Sequence, residues 1–537
     1  MNIKTKKLCI FLILIIAAII RLYYPAFRSL WGDEVDSLFR IYNFSQHNFH
    51  YEPIGLLERL HIALTSPLKG HHLPSYYLLL SLWTALFGVG EVAARSLSVI
   101  FGLLCIPMTY LLAKEFYDER VAMFSSFLMA ISGFAVFYSQ EIRPYSLMMF
   151  VAAASIYYFR RMVQEDKRFA PRLGYIAASF VLVFSHLFGV LALSAQSLYL
   201  IILWFNGRRQ PGILMAALSQ AIVYLLALPV LLPMFFSGIK MAAGLGQDFP
   251  FTQIPGILKL CLNLFALGFG ESLAPWHWSV VIPAGLVYLG LFVLLLTKNR
   301  DNKTLTLLVF LFWPIVTASF LIKVTLPKYL IVILPVFIVL LGRAIAAISS
   351  ARIRMTVLVI IVIAQLVSLG NYFRIEEYHN ANQMEPWRQV STSIADQFQA
   401  GDIIAVNSYD VSFRLLQYYL NILPNGNYPI FLIRYPASED FSSEEGNLPI
   451  IITAAELSKH RSKRVWLVSH LRDDRKNPLG AIPSLKRGLL TEYQLAVQKK
   501  YLPYEKTLIA KLPFFQSREG EYRIVVERYD KIRINGQ

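Results

Sequence analysis

Long apolar runs, separated by short segments rich in Lys and Arg, occupy the first two-thirds of the chain. A helix that crosses the hydrocarbon core of a bilayer needs about 20 mostly apolar residues. The pattern predicts a mainly α, polytopic transmembrane helical bundle of about 11–13 spans, in which the shorter stretches 74–88 and 255–270 either lie along the interface or cross. The eleven longer candidates are 8–24, 92–113, 121–138, 144–159, 172–187, 188–206, 212–235, 277–297, 304–322, 329–345 and 355–371.

The positions of Lys and Arg predict the orientation of this bundle, because cytoplasmic loops carry an excess of both residues. No small-x-small cleavage site follows the first apolar run, so we expect an uncleaved helix with a cytoplasmic amino terminus. Eleven crossings then put the basic loops inside. The segments left outside are a long first loop at about 25–91, shorter loops at 139–143, near His186, at 236–276 and at 323–328, and the tail after Tyr372.

The character of the sequence changes near residue 372, where turns begin to alternate with short apolar and amphipathic segments. One amphipathic segment, 387–399, has a helical pattern. Alternating strands and helices predict an open α/β sheet. We therefore divide the chain into a transmembrane domain at 1–371 and a soluble extracytoplasmic α/β domain at 372–537. The predicted buried strands are GDIIAVNSY at 401–409, YPIFLI at 428–433 and RVWLVSH at 464–470.

The composition agrees with a membrane protein. Hydrophobic residues make up 56% of the 537 residues and charged residues only 16%, whereas soluble proteins have about 25% charged residues. The net charge of +17 reflects basic cytoplasmic loops rather than nucleic-acid binding, since no basic patch is interleaved with exposed aromatic residues. The three cysteines form no pattern typical of a zinc site or a disulfide framework.

Three carboxylates, Asp33, Glu34 and Asp36, follow the first predicted span in the segment WGDEVD at 31–36. Carboxylates at a membrane interface are costly to bury, which favours a general base or a metal ligand. A solvated loop whose acidic residue caps a helix explains the same pattern. From these residues alone, both interpretations stay open.

Histidines occur at two places on the predicted outer side. The segment HHLPSYY at 71–77 contains His72, and a second histidine, His186, lies at the outer end of a predicted span. Imidazoles next to a proline-started apolar segment suit phosphate or metal binding. An ordinary exposed loop has the composition of 71–77, and a lone histidine such as His186 is more often structural than catalytic.

The segment YSQEIRPY at 138–145 lies between two apolar helices and combines Glu141 and Arg143 with Tyr145. An arginine binds phosphate oxygens in a bidentate manner, which indicates an anionic ligand. A Glu–Arg pair that caps the turn is the alternative explanation. We favour the functional interpretation for this segment.

Two lysines, Lys323 and Lys328, lie in the predicted short external loop before Tyr329. Cations are disfavoured in short external loops, because Lys and Arg are in excess on the cytoplasmic side. A lipid-linked phosphate on the outer side explains why a cation is retained there. Side chains that extend to lipid headgroups explain it as well.

In order and spacing, these segments together resemble the GT-C superfamily of integral-membrane glycosyltransferases. The resemblance covers about the first 370 residues and is nearest to the protein O-mannosyltransferase-like branch (glycosyltransferase family 39 type) that includes the aminoarabinose transferases. Leu73 stands where relatives commonly have Pro, and Lys328 where they often have Arg. The motifs are Asp33-Glu34, HHLPSYYLLLSLWTALFG, EVAAR at 91–95, FYSQEIRPYSL, PKY at 327–329 and, in the tail, EPWRQV at 385–390 followed by GDIIAV.

This resemblance implies a membrane enzyme that transfers a hexose or pentose, with inversion, from a polyprenyl-phosphate-linked donor to an acceptor outside the cytoplasm. It implies Asp33 as the general base, with Glu34 second, and Glu141 as a third catalytic-site residue. Because some relatives have an aspartate near 143, a second catalytic acid is not implied. No metal is expected to be required, although a divalent ion stays open. The residues expected to bind donor phosphate or sugar are Arg143, Lys328, His72, Tyr145, Tyr329 and His186.

Two other classes of protein remain to be distinguished from an enzyme. A secondary transporter usually has paired interrupted helices and charged groups near the middle of the membrane, whereas the charged candidates here gather at the outer boundary. An envelope-assembly protein that binds lipid without catalysis keeps the same fold. The sugar and the acceptor, whether lipid, glycan or protein, do not follow from the sequence, and the tail domain is a candidate for acceptor recognition.

Overall fold

A computed structural model gives the fold of the chain in two compact units. The first unit comprises 1–25, 70–247 and 251–379, and the second comprises 26–69, 248–250 and 380–537. The segment 26–69, expected to be a loop of the transmembrane domain, thus belongs to the same unit as the tail. The residues that the structure describes are 3–23, 25–41, 55–69, 72–164, 169–207, 212–244, 254–297, 301–323, 325–374, 385–407, 410–423, 428–433, 451–452, 464–470, 504–513 and 522–531.

The first unit is helical. Its core is formed by the helices at 91–116, 119–131, 145–164 and 334–347, whose apolar side chains are mostly buried. The helices are α1 (Ile3–Leu22), α4 (Pro74–Phe87), α5 (Glu91–Phe116), α6 (Glu119–Ile131), α7 (Gly133–Ser139), α8 (Tyr145–Gln164), α9 (Phe169–Val183), α10 (Gly189–Phe205), α11 (Ile213–Gly244), α12 (Gly256–Phe269), α13 (Trp278–Thr297), α14 (Asn302–Leu321), a 3-10 helix at Pro327–Ile333, α15 (Leu334–Ala347) and α16 (Ala351–Arg374).

Six helical segments among the described residues are long and apolar enough to cross a membrane, or seven if α6 and α7, which meet at a 56° bend, form one broken span. This number is lower than the 11–13 expected from the sequence. Several predicted spans are helices that are too short by this measure, since α9 has 15 residues and α10 has 17. The shorter stretches at 74–88 and 255–270 correspond to α4 and α12, each of 14 residues. The six segments are Glu91–Phe116, Ile213–Phe236, Trp278–Thr297, Asn302–Leu321, Pro327–Ala347 and Ala351–Arg374.

The second unit combines a mixed sheet with four described helices, α2 (Gly32–Phe39), α3 (Leu56–Lys69), α17 (Trp387–Ala395) and α18 (Asp410–Ile422). The strands are β1 (Ile403–Asn407), β2 (Ile430–Ile433), β3 (Ile451–Ile452), β4 (Arg464–His470), β5 (Tyr504–Pro513) and β6 (Tyr522–Lys531). Their order in the sheet is β3-β2-β1-β4-β6-β5. The predicted α/β sheet is confirmed, because the segments expected to be strands are β1, β2 and β4.

The central strands are parallel, and the last two form an antiparallel hairpin. β1 pairs in parallel with β2 and β4, with Ala405 opposite Phe431 on one side and Leu467 on the other. Strands that are covered on both faces are continuously apolar, which is why the sequence pattern located them. β6 pairs antiparallel with β4 and β5. The polar residues of the hairpin, in segments such as YRIVVERYDK, gave no comparable signal.

Candidate functional site

The predicted site residues divide between the two units. Asp33 and Glu34 belong to the second unit. The other seven lie in the first unit, on segments that come together although they are far apart in the sequence; they are His72, Glu141, Arg143, Tyr145, His186, Lys328 and Tyr329.

Arg143 is the cation of the turn that joins α7 to α8, and its side chain is buried. One of its terminal nitrogens donates to the hydroxyl of Tyr77 at 3.4 Å. The Ser98 hydroxyl contacts the Arg143 carbonyl at 3.4 Å and the Tyr76 hydroxyl at 2.8 Å. The tyrosine pair after Pro74 thus positions Arg143, which connects two motifs of the sequence.

The turn that carries Glu141 and Arg143 is anchored on its other side by buried polar groups. Arg21 donates to the carbonyl of Ala130 at 2.7 Å, where α6 ends. Gln140 donates to the Arg21 carbonyl at 2.8 Å and accepts from the Tyr372 hydroxyl at 2.8 Å. Buried polar groups need such partners, and these bonds fix the backbone immediately before Glu141, whose side chain is buried.

Lys328 occupies the first turn of the 3-10 helix and is also buried. Its ammonium nitrogen lies 5.6 Å from the ring centroid of Tyr145 and 5.8 Å from that of Tyr329. A cation near an aromatic face is stabilised by the ring quadrupole. Lys323, the other cation considered in this loop, is exposed, so the structure separates the two lysines.

His186 lies between these groups, in the loop that joins α9 to α10. Its ring centroid is 4.9 Å from that of Tyr329 and 6.4 Å from that of Tyr145. Burial, together with the positive charges of Arg143 and Lys328, lowers the pKa of His186 to about 3. The ring is therefore neutral near pH 7.

The hydrogen bonding of His186 fixes its tautomer. Its Nδ1 accepts from the backbone N–H of Phe188 at 3.2 Å. A neutral imidazole has one protonated nitrogen, so the proton is on Nε2, which can act as a neutral donor. The loop is close to the start of α4, because the Ser75 N–H donates to the Phe184 carbonyl at 3.0 Å. His72, two residues before Pro74, contacts the Tyr77 ring, with centroids 5.9 Å apart.

A carboxylate that the sequence analysis did not select belongs to the same cluster. The Tyr138 hydroxyl donates a hydrogen bond to Oε2 of Glu271, in the loop after α12. Burial raises the pKa of Glu271, while the Tyr138 hydroxyl and the nearby Lys328 charge act in the opposite direction. The Tyr138 ring is 4.9 Å from that of Tyr145. A usable signal existed, since Glu271 is an acid in a predicted external loop.

Helix α16 holds Glu271 and the start of α7 in place. The Gln365 side chain accepts from the Gly133 N–H at 2.8 Å and donates to the Gly268 carbonyl at 2.7 Å. Ser272 donates to the Ser368 carbonyl at 2.7 Å. Gly270 follows the end of α12 with φ +78°, a backbone conformation that residues with a Cβ rarely adopt. These bonds direct Glu271, the residue after Gly270, toward Tyr138.

The acidic motif of the second unit forms the first turn of α2. Glu34 is fully buried and lies 3.5 Å from the guanidinium of Arg28, itself 1% exposed. Its carboxylate also accepts from the backbone N–H of Trp31 at 3.4 Å. Asp36 accepts from Arg40 at 2.7 Å and from Arg414 at 3.2 Å. Two of the three carboxylates thus form structural ion pairs, and Asp33, which is half-buried, has its backbone carbonyl bonded to the Ser37 hydroxyl at 2.9 Å.

The cluster of the first unit can bind an anion beside a flat or ring-shaped group. It offers two cations, a neutral N–H donor and several aromatic faces within one set of contacts. Within the described part of the chain, no group of three or more His, Cys, Asp or Glu side chains is arranged to hold a metal ion.

One family model matches the sequence at residues 71–236, and its description is dolichyl-phosphate-mannose-protein mannosyltransferase. The matched region contains the HHLPSYY and YSQEIRPY segments. No protein of curated function matches the chain.

Solved structures of membrane glycosyltransferases resemble the whole fold. ArnT from Cupriavidus metallidurans, in the apo state, matches 96% of this chain and 97% of its own, with 12% identity and a TM-score of 0.59. The same protein bound to undecaprenyl phosphate gives 13% identity and a TM-score of 0.57 over the same shares. The oligosaccharyltransferase AglB from Archaeoglobus fulgidus, in complex with an inhibitory peptide and a dolichol-phosphate, matches 87% of this chain and 69% of its own, with 14% identity and a TM-score of 0.51.

At these identities, the structural matches establish the fold, and the family model independently marks residues 71–236. Together they confirm the resemblance that the sequence motifs indicated. The chain is an integral membrane protein with the GT-C fold of the membrane glycosyltransferases.

Proposed function

We propose that this protein transfers a sugar from a polyprenyl-phosphate-linked donor to an envelope or secreted acceptor, with inversion at C1. The observation that carries the proposal is the cluster of the buried cations Arg143 and Lys328 with His186 among tyrosine rings. Both positive charges lower the pKa of His186, which is neutral. Positive charge placed where negative charge develops is the largest single contribution in many enzymes. The donor class is further supported by ArnT and AglB, solved with undecaprenyl phosphate and dolichol-phosphate respectively.

The charge of the cluster suits the departing phosphate better than the intact donor. When the acceptor attacks C1, the bond between C1 and the phosphate oxygen breaks, and its electron pair stays on the phosphate. A phosphodiester with one negative charge becomes a monoester that carries a charge of about −1.5 to −2 at pH 7. Because His186 remains neutral, the two cations Arg143 and Lys328 face this added charge. Interactions that strengthen as the bond breaks accelerate the reaction.

The proposal assigns the general base to Asp33. The proton of the acceptor nucleophile moves to the Asp33 carboxylate as the new bond to C1 forms. Glu34, the second candidate, is paired with Arg28, so we give it a structural role. Glu141 is proposed to orient Arg143 or to contact sugar, with Tyr145, Tyr329 and His72 around the donor. We propose that the amino terminus is cytoplasmic and the second unit extracytoplasmic.

The first test detects the product. Envelope lipids, glycans and secreted proteins from cells with and without the protein are compared by mass spectrometry for a gained sugar mass. The expected result is one sugar-bearing product that depends on the protein and persists after treatment of isolated membranes with EDTA. Substrate movement across sealed vesicles with no new product would instead identify a transporter, and a loss with EDTA that is reversed by Mg²⁺ or Mn²⁺ would reveal a required metal.

The second test measures the proposed phosphate site directly. Purified protein is titrated with undecaprenyl phosphate, and Lys328→Ala is compared with Lys323→Ala, which removes an exposed cation from the same loop. We expect Lys328→Ala to weaken binding roughly 10- to 100-fold, within the range found for buried charge pairs, and Lys323→Ala to leave it unchanged. Equal effects of both variants would overturn the assignment of Lys328.

A further inference from the structure

The helix that carries Asp33 has little stability of its own. α2 has eight residues, and isolated helices shorter than about 12 residues are marginal in water. Its position therefore depends on contacts with other parts of the second unit. α18 contacts α2 itself, and α17 contacts the segment that leads into it. Both helices follow α2 in the sequence by more than 340 residues.

Arg414 of α18 contacts α2 at two points one turn apart. Its guanidinium donates to Oδ1 of Asp36 at 3.2 Å, and the same group lies 5.6 Å from the ring centroid of Phe39. The other oxygen of Asp36 accepts from Arg40 at 2.7 Å. The Arg414 and Asp36 side chains are only 17% and 19% exposed, so solvent screens this pair less than an open surface pair.

The chain that leads into α2 is held by the same two helices. The Tyr419 hydroxyl of α18 accepts from the backbone N–H of Leu30 at 2.6 Å. The Arg388 side chain of α17 donates to the carbonyls of Ala26 at 3.0 Å and Arg28 at 3.3 Å. The backbone N–H of Arg388 contacts the Ser29 hydroxyl at 3.2 Å. Backbone groups at 26, 28 and 30 are thus bonded to side chains of the tail domain.

From these contacts we infer that the tail domain positions α2, the helix that carries the proposed base Asp33. Arg414 is the positioning residue, because its ion pair with Asp36 sets the direction of Asp33. The inference rests on the function proposed above. Asp33 and Asp36 are three residues apart and therefore neighbours on the helix surface. Turning or shifting α2 moves both carboxylates together. This gives the tail a role in the chemistry that differs from acceptor recognition.

A positioning role has a defined kinetic consequence. A displacement of about 1 Å in a reacting group is enough to lower a rate about 100-fold. The expected loss is in kcat, because the cations proposed to bind the donor phosphate belong to the first unit. Donor KM and undecaprenyl phosphate binding are expected to stay close to those of the unchanged protein.

The test compares Arg414→Gln with Arg414→Lys and with Arg528→Gln. Arg528 is a matched control, since it is an arginine of the same unit that donates to Gln397 at 3.0 Å and lies over Trp466. Initial rates are measured in isolated membranes with a lipid extract that contains the polyprenyl-phosphate sugars of the same cells. We expect Arg414→Gln to lower kcat roughly 10- to 100-fold, Arg414→Lys to recover part of that loss, and Arg528→Gln to leave kcat unchanged.

A double variant tests whether Arg414 acts through Asp36. In Asp36→Asn/Arg414→Gln, the losses should be less than the product of the single losses, because both changes break one contact. Full activity of Arg414→Gln, with Asp33→Asn inactive, would overturn the inference and leave the proposed function standing. Full activity of Asp33→Asn would overturn the base assignment itself. A lower melting temperature in Arg414→Gln with unchanged kcat would mean that the contact is structural only.

Discussion

The charged residues of the first unit and those of α2 lie in different surroundings. In α2, Glu34 and Asp36 are matched to arginines, so their charges are largely neutralised within the second unit. In the first unit, Lys328 lies near two tyrosine rings and Arg143 bonds to a phenol hydroxyl. Lys328 also lies near the carboxyl group of Glu271, to which the Tyr138 hydroxyl donates. The acids of α2 thus form ion pairs within their own unit, whereas the cations of the first unit lie among aromatic side chains as well as near an acid.

The strongest test of this comparison separates the adjacent acids Asp33 and Glu34. Asp33→Asn removes the proposed base and is expected to lower turnover roughly 100- to 10,000-fold with little change in thermal stability. Glu34→Gln breaks a buried ion pair with Arg28, which is expected to cost about 3–5 kcal/mol of unfolding free energy. The measurements are product formation per folded protein and the melting temperature in detergent. The reverse pattern, with a stable but inactive Glu34→Gln, would exchange the two roles.

Arg143 provides the second test, from the other side of the comparison. Arg143→Gln removes a cation that we propose to face the developing phosphate charge, and we expect roughly a 100-fold lower kcat. Arg143→Lys retains the charge but not the planar group, so an intermediate loss is expected.

The matched control for Arg143 is Arg161→Gln, because Arg161 also donates to a tyrosine hydroxyl, that of Tyr157, at 3.0 Å. This variant should leave kcat unchanged. If Arg143→Gln and Arg161→Gln had the same effect, the contact of Arg143 with Tyr77 would be only a packing feature.

Part of the cluster and part of the sheet can be predicted from the sequence. Arg143 and Lys328 are predicted from the sequence because ionisable residues are unusual beside apolar spans, whereas a site role for His186 follows only from the family resemblance. The three residues lie in one cluster. The segments 401–409 and 464–470 were recognised as strands because strands covered on both faces are continuously apolar.

Two other features could not be predicted from the sequence, because they depend on tertiary contacts. Glu271 gained its partner Tyr138 from the packing of α12 against α7, which no local pattern records. The ion pair between Asp36 and Arg414 joins residues 378 positions apart, so the assignment of 26–69 to the tail unit depended on tertiary structure. Apolar content does not reveal where a helix ends, so several segments expected to be spans are helices of fewer than 18 residues.

Glu271 gives a third, smaller test, since its charge opposes that of Lys328. Glu271→Gln keeps an acceptor for the Tyr138 hydroxyl and removes the negative charge. We expect undecaprenyl phosphate to bind about fivefold more tightly, which corresponds to about 1 kcal/mol. Burial raises the pKa of Glu271. The tighter binding of undecaprenyl phosphate by Glu271→Gln should become more marked as pH rises through that pKa, because the native carboxyl becomes charged there.

Tyr138→Phe serves as the companion to Glu271→Gln. The Tyr138 hydroxyl lowers the pKa of Glu271, and its loss should move the pH at which the two affinities diverge to a higher value. An affinity ratio between Glu271→Gln and the native protein that does not change with pH would contradict an ionising Glu271 next to the phosphate.

His186 gives the smallest expected effect and tests why the cluster carries two positive charges rather than three. Its folded-state pKa of about 3 lies below the ordinary value of 6.5. Between these two values the unfolded chain binds a proton that the folded protein does not, so stability falls as pH is lowered from about 6.5. His186→Asn can still accept from the Phe188 N–H but does not titrate. We expect the melting temperature of the native protein to fall more steeply than that of the variant from pH 7.5 to pH 4.5. A difference that stays constant over this range would mean that folded and unfolded His186 bind protons alike, so that burial beside Arg143 and Lys328 does not lower its pKa.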